Sequence, residues 1–310
     1  MNRSGKGGRK MKNQSGSRSD KVFDAVLLVV LTLILLITLY PVYFVLISSF
    51  SDPVAVAGGD VTFWPVGFTL EGYQTVLKDS AIVRGFFNSV VYTVVGVLVN
   101  LFLTLPTAYA LSRRDFPARK PILIFYMITM FVSGGMMPTY LVVQQTGLLD
   151  TMWALILPGA VNVYNLLTAR AFFRAGIPEE LLEAARIDGC NNTRFFLQVA
   201  LPLSGALVAI MVLYYGVAHW NSYFNALLYI SDQNKWPLQM QLRSVLLQNS
   251  WNAAATGFTP EQLAERQRLE ALAEMMKYSL IVLSCLPMMI AYPFVQKHLV
   301  KGVMLGAIKG

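Results

Sequence analysis

The sequence predicts an all-α, polytopic membrane protein with six transmembrane helices and both termini in the cytoplasm. Of its 310 residues, 55% are hydrophobic and 14% are charged, whereas a soluble globular domain carries about 25% charged residues. Six apolar stretches that lack Asp, Glu, Lys and Arg give the number of helices. An uneven distribution of Lys and Arg gives their direction.

The six stretches meet or approach the length of a membrane-spanning helix, about 20 residues for a hydrocarbon layer about 30 Å thick. Because every backbone N–H and C=O must be paired inside the protein in lipid, helices are the expected form. The first stretch is too long for the apolar region of a cleaved signal peptide, so we expect a retained span. The stretches are residues 25–47, 86–111, 121–143, 152–169, 203–230 and 278–296.

The basic residues set the orientation. Seven Lys and Arg lie in residues 1–21, four in 112–120, four in 170–202 and three after Gln296, against seven in all the segments between. The positive-inside rule therefore places both termini in the cytoplasm. The net charge of +8 does not indicate nucleic-acid binding, because the excess lies beside membrane spans, where it meets anionic lipid.

The chain divides around these spans. Residues 1–20, rich in Gly, Ser, Lys and Arg, predict a disordered basic cytoplasmic arm. Residues 21–80 hold the first transmembrane helix and an outer loop, residues 81–297 form the main membrane domain, and residues 298–310 form a cytoplasmic C-terminal tail. Two long connections, inner 170–202 and outer 231–277, suggest a partner on each side of the membrane.

Both long connections carry helix signals. In the inner one, Pro178 opens a helix, Glu179 and Glu180 occupy its first turn, and Gly189 ends it. Residues 193–199 indicate a second helix. In the outer connection, Thr-Pro-Glu-Gln at 259–262 fits a capping box with Pro at the first helical position.

The inner connection contains Glu-Ala-Ala-Arg-Ile-Asp-Gly at 183–189, followed by Leu-Pro at 201–202. This pattern resembles the EAA loop of bacterial ABC importer permeases, and residues 177–185 are similar to the carbohydrate-uptake, MalG-like group. Further similarities lie at 88–89, 108–113 and 131–135, and residues 300–310 resemble permeases linked to complex oligosaccharides. The resemblance covers nearly the whole chain. It implies an ABC type-1 (MetI-like) permease fold, with residues 81–297 as the permease domain.

The resemblance also implies a function. We expect a multi-pass permease subunit of the bacterial cytoplasmic membrane, in an ATP-driven, binding-protein-dependent importer of sugars, chiefly oligosaccharides. The implied partners are a second, non-identical permease, two ATPase subunits and an extracytoplasmic sugar-binding protein, for which the outer segments 48–85 and 231–277 are candidate docking surfaces. The sequence has no Walker-type Gly-Lys-Ser/Thr loop. We therefore expect no enzyme activity and no cofactor in this chain, with ATP and Mg bound by the ATPase subunits.

In this family the EAA loop forms a short coupling helix that occupies a groove on the ATPase subunit. Such a contact needs small residues where backbones approach and polar residues at the rim. A simpler interpretation is that Glu183 and Arg186, three residues apart, pair with each other on a solvated helix face. The candidate coupling residues are Glu183, Ala184, Ala185, Arg186, Asp188 and Gly189.

Polar side chains at membrane depth are candidates for the substrate path, because they are costly there and usually face a partner or a cavity. Aromatic rings that stack on sugars and amides that bond hydroxyls are typical of carbohydrate sites. Such groups also often bond a neighbouring helix, and Trp is common at the interface. The candidates are Asn162, Asn165, His219, Trp220, Asn221 and Asn225.

Two other classes of protein fit less well. A membrane enzyme needs carboxylates, His or Cys at one depth, but the two His, His219 and His298, are predicted on opposite sides, and Cys190 and Cys285 lie far apart in the sequence. The alternative function is an ion-coupled secondary transporter of small solutes. Such carriers place ionisable residues within the membrane, and the six stretches contain no acidic residue.

Overall fold

The computed structural model describes residues 18–248 and 260–307, and all regular structure in this part of the chain is helical. The arm expected at residues 1–20 falls mostly outside these ranges, as do Thr259 and the end of the C-terminal tail. The first nine helices are α1 (Arg18–Ser48), α2 (Pro53–Gly58), α3 (Glu71–Lys78), α4 (Ser80–Ser112), α5 (Arg119–Phe131), α6 (Met136–Gln145), α7 (Met152–Ile156), α8 (Val163–Gly176) and α9 (Glu179–Ile187).

The remaining helices are α10 (Asn192–Phe195), α11 (Leu201–Leu203), α12 (Gly205–Trp220), α13 (Phe224–Tyr229), α14 (Leu238–Gln248) and α15 (Pro260–Ala307). Short 3-10 turns at Leu157–Gly159 and Gln233–Lys235 and a π-helical segment at Phe196–Ala200 complete the described structure.

Three helices are long and apolar enough to cross a membrane alone: α1 over Asp20–Ser48, α4 over Ser80–Ser112 and α15 over Gln267–Phe294. Three bent pairs pass the same test together. They are α5 with α6, bent by 116°, the α7 segment with α8, bent by 54°, and the segment Asn192–Leu203 with α12, bent by 82°. If each pair is one span, the chain has six, the number predicted from the sequence.

The structure corrects the predicted shape of the middle spans, since residues 121–143, 152–169 and 203–230 are not single helices. The first breaks between Phe131 and Met136, where Gly135 has a φ of +86°, a conformation that glycine adopts without steric cost. The second breaks after Pro158, and the side chain of Asn162 caps the new helix by accepting from the Asn165 N–H. The third is shortened, because α12 ends at Trp220 and Asn225 lies in the separate helix α13.

The last span is longer than predicted. The outer helix expected from residue 260 and the span expected at 278–296 form one helix of 48 residues, α15, about 72 Å long at 1.5 Å per residue. Residues 260–301 contain no glycine and are rich in Ala, Leu, Glu and Gln in their first half. These residues favour helix, so nothing separates the outer segment from the span.

Helix α4 lies at the centre of the fold and packs against α8, α12 and α14, while α15 packs against α12, α3, α2 and α1. The largest buried cluster joins α4, α8, α9 and α12 and includes Leu111, Phe173, Leu182 and Met211. Helix α1 leaves its apolar surface exposed and touches α15 through the rings of Phe44 and Tyr278, 5.8 Å apart. The bundle therefore has a packed centre and an apolar exterior suited to lipid.

Residues 88–89, which are part of the family resemblance, form hydrogen bonds that connect the outer connection to the N-terminal part of α4. The Asn88 amide donates to the carbonyls of Asn234 (2.9 Å) and Trp236 (3.1 Å), and the Ser89 hydroxyl accepts from the N–H of Leu238 (2.8 Å). Side chains of α4 thus pair backbone groups that the irregular outer connection leaves free.

Candidate functional site

The EAA motif lies on α9, a short helix that stands out from the bundle. The predicted helix is confirmed over Glu179–Ile187: Pro178 precedes it, two acidic residues fill its first turn, and Gly189 follows with a φ of +75°. Gly189 has open space around its Cβ position, so its requirement for glycine comes from the left-handed backbone and not from packing.

Only a small part of α9 is buried. Leu182 enters the main buried cluster, with 1% of its surface exposed, and Ala185 is half-buried against that cluster. Ile187 is 87% exposed. The remaining candidate coupling residues, Glu183, Ala184, Arg186, Asp188 and Gly189, are also exposed. Helix α9 therefore presents most of the motif outward.

Arg186 does not take Glu183 as its ion-pair partner. Its guanidinium contacts the carboxylate of Asp115, in the loop between α4 and α5, and its Nη2 lies 3.4 Å from the Oδ1 of Asn192. Burial acts to raise the pKa of Asp115, but the hydrogen bonds and charges of Arg186 and Arg113 outweigh it and lower the pKa. The carboxylate is ionised at neutral pH and holds the end of α9.

A buried polar network joins three segments at the middle of the bundle. The Nε2 of His219 on α12 lies 2.6 Å from the Oδ1 of Asn100 on α4, and the Asn100 amide donates to the carbonyls of Gly159 (3.2 Å) and Ala160 (2.7 Å). These two carbonyls lie at the break between α7 and α8. Asn100 was not among the candidates from the sequence, although a polar residue inside the apolar stretch 86–111 was a signal that could have identified it.

The structure separates the six candidate path residues by exposure. Asn165, His219 and Trp220 are buried or half-buried and take part in helix packing: Asn165 is 7% exposed, and the indole of Trp220 donates to the carbonyl of Ser284 at 2.8 Å. Asn162, Asn221 and Asn225 are exposed, and of these Asn162 caps α8 by accepting from the Asn165 N–H. Asn221 and Asn225 lie near the end of α12 and on α13.

The break between α5 and α6 is exposed on every side. All residues from 127 to 139 are exposed, and within this stretch the backbone leaves the helix from Val132 to Gly135. The hydroxyl of Ser133 accepts from the Gly135 N–H at 3.2 Å, which pairs one of the freed groups. Irregular backbone at membrane depth is tolerated where it is covered by protein or lines a water-filled cavity. At membrane depth, a break of this kind needs protein or water to pair its remaining backbone groups.

The described residues offer no group of three or more His, Cys, Asp and Glu side chains that could hold a metal ion.

The family model described as the binding-protein-dependent transport system inner membrane component matches residues 80–305. The polygalacturonan/rhamnogalacturonan transport system permease protein YtcP of Bacillus subtilis (strain 168) is 37% identical over 94% of this chain and 99% of its own length. Protein LplC of the same organism is 40% identical over 95% and 97% of the two chains.

A solved structure is also similar. It is a chain of a bacterial ABC transporter involved in the import of the acidic polysaccharide alginate, with a TM-score of 0.82 and 31% identity over 91% of this chain and 98% of that chain.

Proposed function

Because this chain belongs to the family of inner-membrane components of binding-protein-dependent transport systems, we propose that it is the permease subunit of an ATP-driven oligosaccharide importer. The observation that carries the proposal is the exposed helix α9, which presents the family's EAA motif and the exposed Ile187 on a surface held to the bundle by Leu182. Relatives named for polygalacturonan, rhamnogalacturonan and alginate transport support a polymeric, acidic sugar as the class of substrate.

The energy for transport comes from two separate ATPase subunits, each of which receives one coupling helix. On this chain, Ala184, Ala185 and Gly189 allow close approach to the ATPase groove, and Glu183, Arg186 and Asp188 form its polar rim. ATP and Mg are bound by those subunits. Closure of the ATPase pair displaces α9, and the spans move as rigid bodies between inward-open and outward-open states.

The path lies between this chain and a second, non-identical permease. Support comes from the exposed break at Val132–Gly135, whose backbone needs a protein or water partner at membrane depth. Asn221 and Asn225 are the candidate side chains for sugar hydroxyls. The sugar-binding protein docks on the side opposite α9, on residues 48–85 and 231–277, and both termini face the cytoplasm. An ion-coupled mechanism lacks support, since residues 86–111 of the central helix contain no ionisable acid.

Reconstitution tests this proposal. The permease is co-expressed with ATPase, second-permease and binding-protein subunits, and the purified complex is placed in lipid vesicles. Uptake of fluorescent oligogalacturonides and alginate oligosaccharides is then measured with and without ATP. Uptake that needs both ATP and the binding protein is the expected result. Uptake driven by a proton or sodium gradient without ATP would contradict it.

A further inference from the structure

The loop after α4 holds two adjacent side chains of opposite charge that contact opposite ends of α9. The Nε of Arg114 lies 3.1 Å from the Oε1 of Glu179, in the first turn of α9. The carboxylate of Asp115 contacts the guanidinium of Arg186, in the last turn. Glu179 and Arg186 are seven residues apart, about 10.5 Å along the helix axis. The loop therefore contacts α9 at two separated points.

These two contacts are made by charged side chains and not by close packing. A cavity of about 320 Å³ separates the loop from the start of α9, and Arg114, Pro178 and Glu179 are among the residues that line it. The apolar contacts of α9 with the bundle come from Leu182 and the half-buried Ala185, both between the two ion pairs. A helix held by apolar contacts over one short stretch can tilt about that stretch, whereas two charged contacts on either side of it fix its direction.

The contacts continue into the bundle on both sides of α9. Arg113, the residue that caps the C-terminus of α4, places its Nε 3.3 Å from the second oxygen of Asp115 and is 15% exposed. On the other side, Arg186 reaches Asn192, the first residue of α10. A continuous chain of polar contacts thus runs from the end of α4, through α9, to the segment before α12.

We propose that Arg114 and Asp115 are positioning residues that transmit the displacement of α9 to α4. This inference rests on the proposed function, in which an ATPase subunit moves α9. Both ion pairs are substantially exposed, with side-chain exposures between 41% and 70%, and exposed pairs contribute little to folding stability. Their effect is on orientation. Helix α4 packs against α8 and α12 and holds the α7–α8 break through Asn100, so its movement reaches the path.

The first measurement follows the position of α9 without any partner subunit. Cys190, just after α9, is half-buried against the main cluster, and the exposed Cys285 is replaced by Ser in every variant. Modification of Cys190 by a charged maleimide is timed in purified permease. Asp115→Arg places a cation beside both Arg186 and Arg113, and we expect labelling about threefold faster. The exchange Asp115→Arg with Arg186→Asp returns the rate to that of the parent protein.

Two further variants control for charge and geometry. Asp115→Glu keeps the carboxylate and is expected to label at the parent rate. Lys120→Asp changes the charge at an exposed position near the same loop without altering either ion pair, and it should also leave the rate unchanged.

The second measurement uses the reconstituted complex. Asp115→Arg is expected to lower ATP-dependent uptake about tenfold and to reduce the ratio of stimulated to basal ATP hydrolysis, while the ATPase subunits still copurify. The exchange of charges restores most of the uptake. A purely structural role would lower the amount of folded permease and the basal hydrolysis together, without changing that ratio.

Several results would overturn the inference. Unchanged labelling in Asp115→Arg means that the pair does not hold α9, and faster labelling with normal uptake means that its position does not matter for transport. Failure of the exchanged pair to restore labelling also excludes the link. If the parent complex shows no ATP-dependent uptake, the proposed function is wrong, and the labelling series still decides whether the two residues position α9.

Discussion

The Nε2 of His219 lies 2.6 Å from the Oδ1 of Asn100, and the same imidazole fills the space beside Gly96. This contact joins α12 to α4 at the centre of the bundle. Because the Asn100 amide also donates to the carbonyls of Gly159 and Ala160 at the α7–α8 break, one side chain connects three segments.

The close approach of His219 requires glycine at position 96. A Cβ added there would lie 2.5 Å from the imidazole Nε2, too close for the two helices to keep their distance. We expect Gly96→Ala to destabilise the protein by about 1–3 kcal/mol, measured by thermal unfolding in detergent. Gly216→Ala on the facing helix is the control, since its added Cβ meets Val97 at an ordinary 3.9 Å. Equal stability of both variants would contradict this packing.

Replacement of Asn100 by Leu leaves the carbonyls of Gly159 and Ala160 without their side-chain donor. Loss of a buried partner costs about 1–3 kcal/mol, so we expect lower thermal stability and reduced uptake by the reconstituted complex. Thr129→Val is a suitable comparison, because the Thr129 hydroxyl bonds only its own helix, at the carbonyl of Tyr126, on an exposed face. If Asn100→Leu behaves like Thr129→Val, the network does not stabilise the break.

Substitutions at Gly189 test whether the left-handed backbone at the end of α9 requires glycine. Its φ of +75° disfavours any side chain, but nothing lies within 4 Å of an added Cβ. We expect Gly189→Ala to destabilise the end of α9 by about 1–2 kcal/mol through conformation alone, with weaker copurification of the ATPase and slower uptake. Gly189→Asn should be milder, because Asn tolerates this conformation better. Gly176→Ala, at ordinary contact with Phe172, should be nearly neutral, and matching losses at both glycines would argue against this explanation.

Asp150 links two outer segments and gives a pH prediction. Its carboxylate accepts from the N–H groups of Asp232 (3.0 Å) and Ser231 (2.6 Å), and these bonds lower its pKa. Because the pKa is lower in the folded state, its stabilising contribution is present above about pH 4 and is lost as the pH falls further, through the folded-state pKa. The melting temperature of the parent protein should exceed that of Asp150→Ala at neutral pH, and the difference should shrink below about pH 4.

An amide at position 150 separates the negative charge of the carboxylate from its role as a hydrogen-bond acceptor. Asp150→Asn keeps an oxygen acceptor for both N–H groups and tolerates the φ of +57°, so it should lie between the parent and Asp150→Ala at neutral pH. A difference between parent and alanine variant that stays constant down to about pH 2 would contradict the assignment.

The sequence predicts much of this fold because its signals are local. Apolar length gives the spans, and Pro178, the acidic first turn and Gly189 give α9 almost to the residue. Two of the three broken spans follow from the glycines at 134–135 and from Pro158, whose effect is overlooked by a criterion based on apolar length alone. The sequence analysis also did not predict that the outer helix and the last span form one continuous helix. An apolar stretch ends at the first charged residue, whereas the residues before it still favour helix.

Contacts between residues that are far apart in the sequence cannot be predicted from local patterns. Arg186 and Asp115 are 71 residues apart in the chain, whereas the alternative pairing that the spacing allowed was with Glu183. For the path candidates, polarity at membrane depth identified His219 and Trp220 but not what they touch. Their partners, Asn100 and the Ser284 carbonyl, depend on how three helices meet.

The most direct test of the proposed function replaces Ile187 by Asp in the full complex. Because 87% of Ile187 is exposed, the change should alter stability by no more than about 0.5 kcal/mol. Val54→Asp, at an exposed apolar position on α2, is the matched control. We predict that Ile187→Asp keeps the melting temperature of the permease but loses copurification of the ATPase subunits, while Val54→Asp retains it. Undiminished ATPase binding by Ile187→Asp would contradict the assignment of α9 as the coupling surface.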